Sequence, residues 1–543
     1  MNNLRPALYA LLALILFLLW SDWQRANAPA VRPAVTATSV PAAPSTRHAG
    51  TPSPSSSVAV APPSALAPVA TGEKVFVKTD TMVATLTTRG GDFTSVLMRH
   101  YFADKSHGKR LYPLLRPMDG TQGFVNQSGL LGHSRYPNQN TLYTVAHTHY
   151  QLQSGKQHLR LSFHWVHGSV QVTKTYIFTR GSYLVDVHYT VHNLGHQARS
   201  VYLYNQFVHV SAPKTKFYDS EPVYIGAAVY TPATKYHQIP FADMTKHPLH
   251  EQSAGGWVAI SQHYFLGAAL PPPETAALFY SEVLPGPRYL VGYKTAHPVI
   301  VAPGATETLA TRLFLGPKTP ALLQAAAPGL RLTVDYGWLT VLAQPLYAVL
   351  AHLQGLTGNW GVAIILLTVL IKLIFFPLSA TSFKSMARMR KLQPRMAALK
   401  KQHGKDKGAL QKATMELYKQ EKMNPLGGCL PMVVQIPVFI ALYWVLLDSV
   451  ALRDAPFMLW IHNLAAPDPY FVLPILMGVS MVFQQLLNPA VMDPTQRKVM
   501  MIMPVVFTIF FLFFPAGLVL YWVVNNILSI LQQWWVMARM EKA

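Results

Sequence analysis

Hydrophobic residues follow two different patterns along the chain, and each pattern has its own part of the sequence. Long apolar runs are confined to the first twenty residues and to the C-terminal part, whereas short alternating runs fill the region between. The runs Trp360–Phe376, Leu430–Leu447 and Tyr470–Leu487 are each close to the ~20 residues that a helix needs to cross a bilayer. Val499–Val536 is long enough for two crossings, because a Pro-Ala-Gly turn at 515–517 divides it. With the N-terminal run, the pattern predicts six crossings.

The region between about 73 and 320 has the pattern of a β-sandwich. Its runs are short, alternate in polarity and are rich in β-branched and aromatic residues, as in Met82–Thr87, Thr173–Thr179 and Tyr183–His192. Turn residues such as Gly90-Gly91-Asp92 separate these runs. Many short strands with such punctuation are typical of two packed sheets.

A weaker amphipathic pattern covers 331–353, between the β-rich region and the long apolar runs. Apolar residues recur there at helical spacing from Trp338 to Tyr347, and Pro345 interrupts them. The pattern predicts a helix that lies along the outer membrane surface, anchored by Trp338 and Tyr336.

The N-terminal residues carry an export signal. Asn2–Arg5 is a short basic region that leads into the apolar run Leu8–Trp20, and Ala26-Asn27-Ala28 has the form of a cleavage site. These residues fit a cleaved signal peptide and an uncleaved anchor equally well, and either one exports the region after it. Residues 28–70 are rich in Pro, Ala, Ser and Thr, which predicts a flexible tether.

The distribution of the formal net charge of +22 gives the topology. Ser379–Lys422 carries twelve Lys and Arg against three acidic residues, whereas the loop Asp448–Pro469 carries one Arg against three Asp. Short basic loops stay in the cytoplasm, so both termini are predicted to be cytoplasmic and the β-rich region extracytoplasmic. This asymmetry accounts for the basicity, and no DNA partner is predicted.

The sequence offers little for catalysis or metal binding. Cys429 is the single cysteine, so no intrachain disulfide can form. His147 and His149, or His164 and His167, would need a third ligand that is not identifiable. There is no phosphate-binding glycine loop, no Gly-x-Ser-x-Gly motif and no carboxylate pair in the apolar runs. We therefore predict neither enzyme activity nor a metal or other cofactor.

Lys372 is the only ionisable residue within the five C-terminal apolar runs. A cation inside a bilayer is expensive and indicates function by default. Alternatively, its flexible stem could reach the cytoplasmic headgroups, since Pro377 lies five residues later. Thr368 lies one turn earlier on the same helix face, which favours a polar stripe.

The last apolar run adds to this stripe. Polar and aromatic side chains recur in it at spacings of three and four residues, namely Trp522, Asn525, Asn526, Ser529 and Gln533. The alternatives are a hydrophilic groove and ordinary hydrogen bonding between helices. The candidate groove residues are Lys372, Thr368, Gln435, Trp522, Asn525 and Asn526.

The basic segment 379–423 has the pattern of a helical hairpin with its turn at Gly404–Gly408. It either serves only to set the topology or is a docking surface for anionic lipid, ribosomal RNA or a nascent chain. Methionines along its helices suit contact with varied apolar sequences. The candidate contact residues are Lys384, Arg388, Arg390, Lys391 and Arg395.

Several motifs are shared with a known family. In the C-terminal part they are Val334–Trp338, Thr368–Pro377, Leu392–Pro394, Asn424–Cys429, Gln435–Pro437, Pro474–Gly478 and Phe514–Leu518. The β-rich region adds Thr88–Asp92 and Thr173–Thr175. In these motifs and their order the chain resembles the YidC/Oxa/Alb family of membrane insertases, in its bacterial form with a large periplasmic domain.

The resemblance implies an uncleaved first span, a periplasmic β-supersandwich similar in fold to sugar mutarotases, and a five-helix core. A hydrophilic groove in this core opens to the cytoplasm and to lipid. The family's basic groove residue corresponds to Lys372, where many members have Arg, and its substrate-contact positions correspond to Thr368 and Trp522. The implied function is insertion and folding of membrane proteins in the bacterial inner membrane, alone or with the Sec translocon. The implied partners are nascent membrane proteins, the Sec translocon, the ribosome and anionic phospholipids.

Together these inferences predict a polytopic α-helical membrane protein with a periplasmic all-β domain. The predicted segments are an N-terminal anchor at 1–21, a linker at 22–72, a β-domain at 73–320, an interfacial helix at 331–353, transmembrane helices at 358–378, 426–448, 469–488, 498–514 and 516–537, and a cytoplasmic hairpin at 379–423. Two rival functions stay open on the residues alone. One is a small-solute transporter, and the other is a carbohydrate-binding or epimerising enzyme on a membrane anchor.

Overall fold

The computed structural model describes residues 72–104, 110–132, 135–210, 224–286, 288–404, 406–421, 430–487 and 494–541. The predicted N-terminal anchor at 1–21 and all but the last residue of the linker at 22–72 lie outside these residues. The chain divides into two compact units. Val60–Ala490 with Pro504–Ala543 form one unit, and the other contains Met1–Ala59 with Val491–Met503, of which 494–503 are described.

The described residues between 74 and 317 fold as a β-sandwich, which confirms the fold predicted for this region. Its strands are β1 Lys74–Lys78, β2 Met82–Thr87, β3 Asp92–Asp104, β4 Arg110–Leu115, β5 Gly123–Leu131, β6 Thr144–Val145, β7 His149–Gln151, β8 His158–His167, β9 Val170–Thr179, β10 Leu184–Asn193, β11 Arg199–Val210, β12 Gly226–Thr231, β13 Lys235–Ile239, β14 His250–Ala254, β15 Trp257–Ser261, β16 Phe265–Leu270, β17 Ala276–Leu284, β18 Arg288–Thr295, β19 Val299–Val301 and β20 Thr306–Pro317.

Within the described residues one sheet has eleven strands and the other has nine. The first runs β14-β17-β18-β11-β5-β3-β2-β1-β7, with β19 beside β11 and β4 beside β3. The second runs β13-β12-β15-β16-β20-β10-β9-β8-β6. Strands β9 and β10 bury every second residue, as a half-buried strand must when successive side chains alternate between faces. The alternating sequence pattern therefore decides which side chains enter the core.

A buried ion pair joins the two sheets inside this core. Lys174 Nζ on β9 lies 3.0 Å from Asp92 Oδ1 on β3 and donates to the carbonyl oxygens of Gly90 at 2.8 Å and Ser128 at 3.2 Å. The Ser128 N–H also donates to Asp92 Oδ1. Burial raises the pKa of Asp92 and lowers the pKa of Lys174, and the attraction between the two charges opposes both shifts. The two motifs Thr88–Asp92 and Thr173–Thr175 thus meet at one polar site.

The helices follow the β-domain in sequence. In the described residues they are α1 Pro320–Ala326, α2 Thr340–Thr357, α3 Trp360–Ile374, α4 Phe376–Lys391, α5 Gln393–His403, α6 Lys407–Gln420, α7 Leu430–Asp448, α8 Val472–Leu487, α9 Pro494–Phe511 and α10 Ala516–Glu541. Two short 3-10 helices, Leu330–Thr333 and Gly337–Leu339, connect α1 to α2. Helix α10 packs against α8, α3 and α4, and α2 packs against α3 and α7.

The helices differ in three respects from the sequence expectations. Pro345 lies inside α2 and does not interrupt it. Tyr336 is only 3% exposed, so it packs within the protein and does not anchor a surface helix, whereas Trp338 is 67% exposed. The expected span at 358–378 is a helix that ends at Ile374 and is bent by 63° from the next helix.

By length and composition alone, among the described residues, Gly337–Thr357 can cross a membrane, and so can the bent pair Trp360–Ile374 with Phe376–Ser385 if it is one span. Val434–Asp448, Val472–Leu487 and Met500–Phe511 are shorter apolar helices. The structure therefore does not by itself establish six crossings.

The buried ion pair yields a stability prediction. Replacing Asp92 with Asn leaves the Lys174 charge buried without its partner, so we expect the β-domain to lose about 3–5 kcal/mol of unfolding free energy. Urea unfolding of the purified protein, followed by near-ultraviolet circular dichroism, measures this loss. Lys74→Met, an exposed change on β1, is the control. An unchanged urea midpoint for Asp92→Asn would show that the pair does not support the core.

A half-buried histidine on β11 makes the same domain sensitive to acid. The ring of His209 stacks on Phe241 at 5.0 Å and lies 5.5 Å from the ring of Phe124. Its Nδ1 is buried and, among the described residues, has no hydrogen-bond partner. Burial, assisted by the positive charge of Arg116, lowers the pKa of His209 from 6.5 to about 4.

The unfolded chain therefore binds a proton at His209 at a higher pH than the folded chain does. Above pH 6.5 the His209 ring is neutral in both states and does not reduce the free energy of unfolding. As the pH falls from 6.5 to about 4, protonation of the unfolded chain at His209 lowers the free energy of unfolding by about 3 kcal/mol. We expect His209→Phe, which keeps the ring stack, to reduce the loss of stability between pH 6.5 and 4. Urea unfolding at both pH values measures the difference, with the exposed His297→Phe as control. An equal acid loss in wild type and His209→Phe would refute the assignment.

Candidate functional site

Lys372 lies in the last turn of α3 and points to α10. The helix begins at Trp360 because the side chain of Asn359 accepts hydrogen bonds from the backbone N–H groups of Gly361 and Val362. Lys372 Nζ donates a hydrogen bond of 2.7 Å to Ser529 Oγ on α10. The ammonium group is thus held by a neighbouring helix.

Ser529 belongs to a hydrogen-bonded chain that joins three helices. Ser529 Oγ donates to the carbonyl oxygen of Asn525 at 2.7 Å. Gln435 Nε2 on α7 donates to Asn525 Oδ1, also at 2.7 Å. Lys372, Ser529, Asn525 and Gln435 therefore form one polar cluster between α3, α7 and α10, which we call the lysine cluster.

The side chains of Asn526 and Gln533 form hydrogen bonds with α8, which is not part of the lysine cluster. Asn526 Nδ2 donates to Ser480 Oγ on α8 at 3.0 Å, and Ser480 Oγ donates to the carbonyl oxygen of Met477. Gln533 Nε2 donates to the carbonyl oxygen of Leu487 at 3.3 Å. The polar stripe expected along one side of α10 is thus divided, and Asn526 belongs to the packing of α8 against α10.

Thr368 and Trp522 are placed by local contacts. Thr368 is 1% exposed, and its hydroxyl donates to the carbonyl oxygen of Ile364 one turn back on the same helix. Trp522 packs edge to face on Phe439 of α7 at 5.0 Å and lies 5.8 Å from Phe511. Its Nε1 is buried and, within the described part of the chain, has no acceptor.

No carboxylate of the described residues balances the charge of Lys372. Among the described residues, ion pairs join Lys174 with Asp92, His263 with Asp448 and Arg395 with Glu421, and none of these pairs includes Lys372. A cation held by a hydroxyl group alone keeps most of its field available for an incoming anion, since no fixed negative charge offsets it. The cluster can thus attract a carboxylate.

The basic hairpin is formed by α4, α5 and α6. Lys384 and Arg388 are exposed, and the side chains of Arg390 and Lys391 lie outside the described residues. Arg395 Nη1 lies 2.6 Å from Glu421 Oε1 and so joins the two arms. Because both partners are exposed, this pair is worth at most ~1 kcal/mol.

Tyr418 and Met396 also join the arms, and a cap fixes the start of α6. Tyr418 OH donates to Met396 Sδ at 3.5 Å across the hairpin. The side chain of Asp406 accepts from the N–H groups of Gly408 and Ala409, so α6 begins just after the turn. Arg395, through its ion pair with Glu421, therefore also contributes to the structure of the hairpin.

Two polar residues of the helices were missed from the sequence. Ser480 holds Asn526, and Gln532 Nε2 donates to the carbonyl oxygen of Phe376 at 3.4 Å, at the bend between α3 and α4. A small residue within an apolar run, such as Ser480, is a signal of close helix packing. No sequence signal indicates the role of Gln532, because its acceptor is a backbone carbonyl.

No group of three or more metal-ligating side chains occurs in the described ranges. In this part of the chain, neither His147 with His149 nor His164 with His167 belongs to a group of three potential metal ligands.

Comparison with known proteins covers the whole chain. Residues 74–349 match the family described as YidC periplasmic domain, and residues 352–543 match the family described as 60Kd inner membrane protein. The membrane protein insertase YidC of Methylobacillus flagellatus is 45% identical over 551 aligned positions, which cover 100% of this chain and 98% of the relative. That of Nitrosococcus oceani is 44% identical and covers 100% of both chains. The chain belongs to the YidC family of membrane protein insertases.

The solved structures that match this chain include a YidC insertase and a galactose mutarotase-like protein. An active YidC insertase crystal structure with the first transmembrane domain resolved matches 86% of this chain and 94% of its own, at 18% identity and a TM-score of 0.39. A galactose mutarotase-like protein from Lactobacillus casei matches 45% of this chain and 100% of its own, at 12% identity and a TM-score of 0.30. Membership of the YidC family indicates an inner membrane protein whose β-domain is periplasmic.

The two polar clusters of α10 predict different exposure to water. Gln435 of the lysine cluster is partly exposed, whereas Ser480 is buried between α8 and α10. In a Cys429→Ser background, we expect a charged, membrane-impermeant maleimide to label Gln435→Cys in inverted membrane vesicles and to leave Ser480→Cys unlabelled. Labelling of Ser480→Cys after denaturation is the control for thiol reactivity. Equal labelling in folded vesicles would contradict the division into two environments.

Proposed function

We propose that this protein inserts membrane proteins into the inner membrane through a hydrophilic groove around the lysine cluster, which is open to the cytoplasm and to lipid. The observation that supports this most directly is the hydrogen bond from Lys372 to Ser529, with no carboxylate beside it in the described residues. The groove attracts acidic residues of the short tail that a substrate must translocate. Its polar groups replace part of the water that the tail loses.

The depth of Lys372 supports a groove over a side chain that reaches the headgroups. Lys372 lies twelve residues after Trp360, or about 18 Å along a helix axis, within a hydrocarbon core of ~30 Å. At the other end, Trp535 lies six residues after Ser529, about 9 Å further along α10. The guanidinium of Arg539 lies 3.8 Å from the Trp535 ring centroid, a pairing suited to the membrane interface. Lys372 therefore bonds inward, toward α10.

The helices around the groove carry exposed apolar faces. These faces consist of Leu366, Leu370, Leu373 and Ile374 on α3, Ile475, Val479, Phe483 and Leu486 on α8, and Val505, Val506, Ile509 and Phe510 on α9. Such continuous apolar surface suits contact with lipid. A substrate segment can thus leave the groove sideways as its apolar residues enter the bilayer.

No nucleotide is needed for this step. Transfer of an apolar side chain from water is favourable by ~1.5–3 kcal/mol. The membrane potential adds ~2.3 kcal/mol for each charge that crosses 100 mV. The lysine cluster lowers the barrier for the tail, and burial of the apolar segment drives the reaction.

The topology completes the proposal. Six crossings with both termini in the cytoplasm, of which five form the groove-bearing core, place the basic hairpin on the side where nascent chains arrive. The exposed cations Lys384 and Arg388 support contact with the ribosome and with anionic phospholipids. We infer that insertion proceeds alone or with the Sec translocon.

The attraction step predicts a charge-dependent defect. In liposomes containing the purified protein, Lys372→Leu should slow the insertion of a single-span protein with an acidic translocated tail, whereas Lys372→Arg should keep most of the rate because it keeps the charge. Protease protection of the tail measures insertion. The same protein with a neutral tail is the matched substrate, and empty liposomes give the background.

Wild-type protection equal to that of empty liposomes would refute autonomous insertion. Equal rates for Lys372→Leu and wild type with the acidic tail would instead refute the attraction step and leave insertion intact.

A further inference from the structure

The β-domain and the helices meet at the loop between α7 and α8. This loop follows Asp448 and contains Arg453, its one Lys or Arg residue. Its contacts with the β-domain come from three separate stretches of that domain, around Phe102, Tyr112 and Tyr264.

Arg453 inserts into an aromatic pocket of the β-domain. Its Nη2 donates a hydrogen bond of 2.8 Å to the carbonyl oxygen of Phe102 at the end of β3. Its guanidinium carbon lies 4.8 Å from the ring centroid of Tyr112, 5.4 Å from that of Tyr264 and 5.9 Å from that of Phe265. The rings of Tyr112 and Phe265 stack on each other at 4.1 Å and form one wall of the pocket. All three distances are within the ~6 Å range of cation–π attraction.

A second contact secures the end of α7 itself. His263 Nε2, next to the pocket, donates to the carbonyl oxygen of Leu447 at 3.2 Å and lies 3.7 Å from Asp448 Oδ1. Leu447 is in the last turn of α7, where carbonyl oxygens have no partner within the helix. The β-domain therefore supplies a hydrogen bond that α7 cannot make internally.

The inner end of α7 reaches the lysine cluster. It does so through Gln435, whose side chain donates to Asn525, and one turn later Phe439 packs on Trp522 of α10, next to the cluster. The middle of α7 is also packed, since Phe439 lies 6.2 Å from the ring of Tyr521, Tyr443 lies 6.2 Å from the ring of Phe514, and α2 packs against the helix. The anchored outer end adds a constraint at the end of α7 that is farthest from Gln435.

We propose that Arg453 is a positioning residue of the insertase: it seats the α7–α8 loop in the β-domain and thereby holds Gln435 against Asn525. The periplasmic domain then acts on the groove through α7. Arginine suits this role because its planar group can donate to a carbonyl and stack on rings at the same time. The inference rests on the proposed insertase function for its activity readout and on distances for its structural readout.

The structural test measures the seating directly. Spin labels at Val166→Cys in the β-domain and Met458→Cys in the loop, both exposed positions, report their separation in nanodiscs in a Cys429→Ser background. Arg453→Met should increase the unseated population about tenfold, the factor that corresponds to loss of one charge-assisted hydrogen bond. Arg453→Lys, which keeps the charge without the planar group, should give a smaller increase. Arg160→Met, the same change at an exposed position of β8, should give none.

The functional test distinguishes positioning from general stability. Insertion of the acidic-tailed protein should be slower for Arg453→Met, nearer to wild type for Arg453→Lys, and unchanged for Arg160→Met. Gln435→Ala should also slow insertion, and Arg453→Met should add no further loss in that background, because the contact that it positions is already absent. A merely structural role would give additive losses.

Each outcome has a defined meaning. A wider label distance together with non-additive insertion losses would support the proposal. An unchanged distance in both Arg453 variants, or a wider distance with wild-type insertion, would overturn it, and so would additive losses. If Arg453→Met does not accumulate, the Arg453→Lys variant carries the same comparison. Absence of insertion by the wild type would reject the proposed function, while the label distances would still decide the seating.

Discussion

Polar groups among membrane helices must find partners in the protein or in water, because hydrocarbon offers neither donors nor acceptors. Helix α10 meets this constraint by dividing its polar side chains between two neighbours. Asn526 is satisfied by Ser480 of α8 and closes one side, whereas Asn525 joins Gln435, Ser529 and Lys372 on the other. The closed side packs helices, whereas on the second side the ammonium group has one neutral partner among the described residues. The proposed groove depends on this difference in hydrogen bonding between the two sides.

The β-domain meets a similar constraint with the opposite result. The ammonium group of Lys174 has a carboxylate and two carbonyl oxygens around it, so its charge is matched and its position is fixed. Such a site specifies how β3 and β9 pack, and it has no capacity left for a ligand. Two lysines of one chain thus have contrasting roles, which depend on the number and charge of their partners.

Much of the architecture could be predicted from the sequence, because period-two alternation and long apolar runs depend directly on burial. Lys372 could be singled out as a candidate, because a lone cation in an apolar run has few explanations. The different partners of Asn525 and Asn526 could not be predicted from the sequence. Consecutive residues on a helix point about 100° apart, and the neighbouring helices decide which group each side chain contacts. Tyr336 was misassigned because an amphipathic pattern does not reveal that a 3-10 turn buries the ring in the protein. The bend after Ile374 has a sequence cause in Pro377, which ends a helix that precedes it.

The bend between α3 and α4 gives the hairpin the geometry of a lever. The pivot is the peptide around Phe375, and Gln532 of α10 holds it at the carbonyl oxygen of Phe376. Helix α4 has 16 residues, so it extends about 24 Å from this pivot. A rotation of about 10° at the pivot moves the far end of α4 by about 4 Å, roughly the width of one side chain. A small rotation at the bend next to Lys372 is therefore magnified at the far end of α4, and a force on that end acts on the bend with the same leverage.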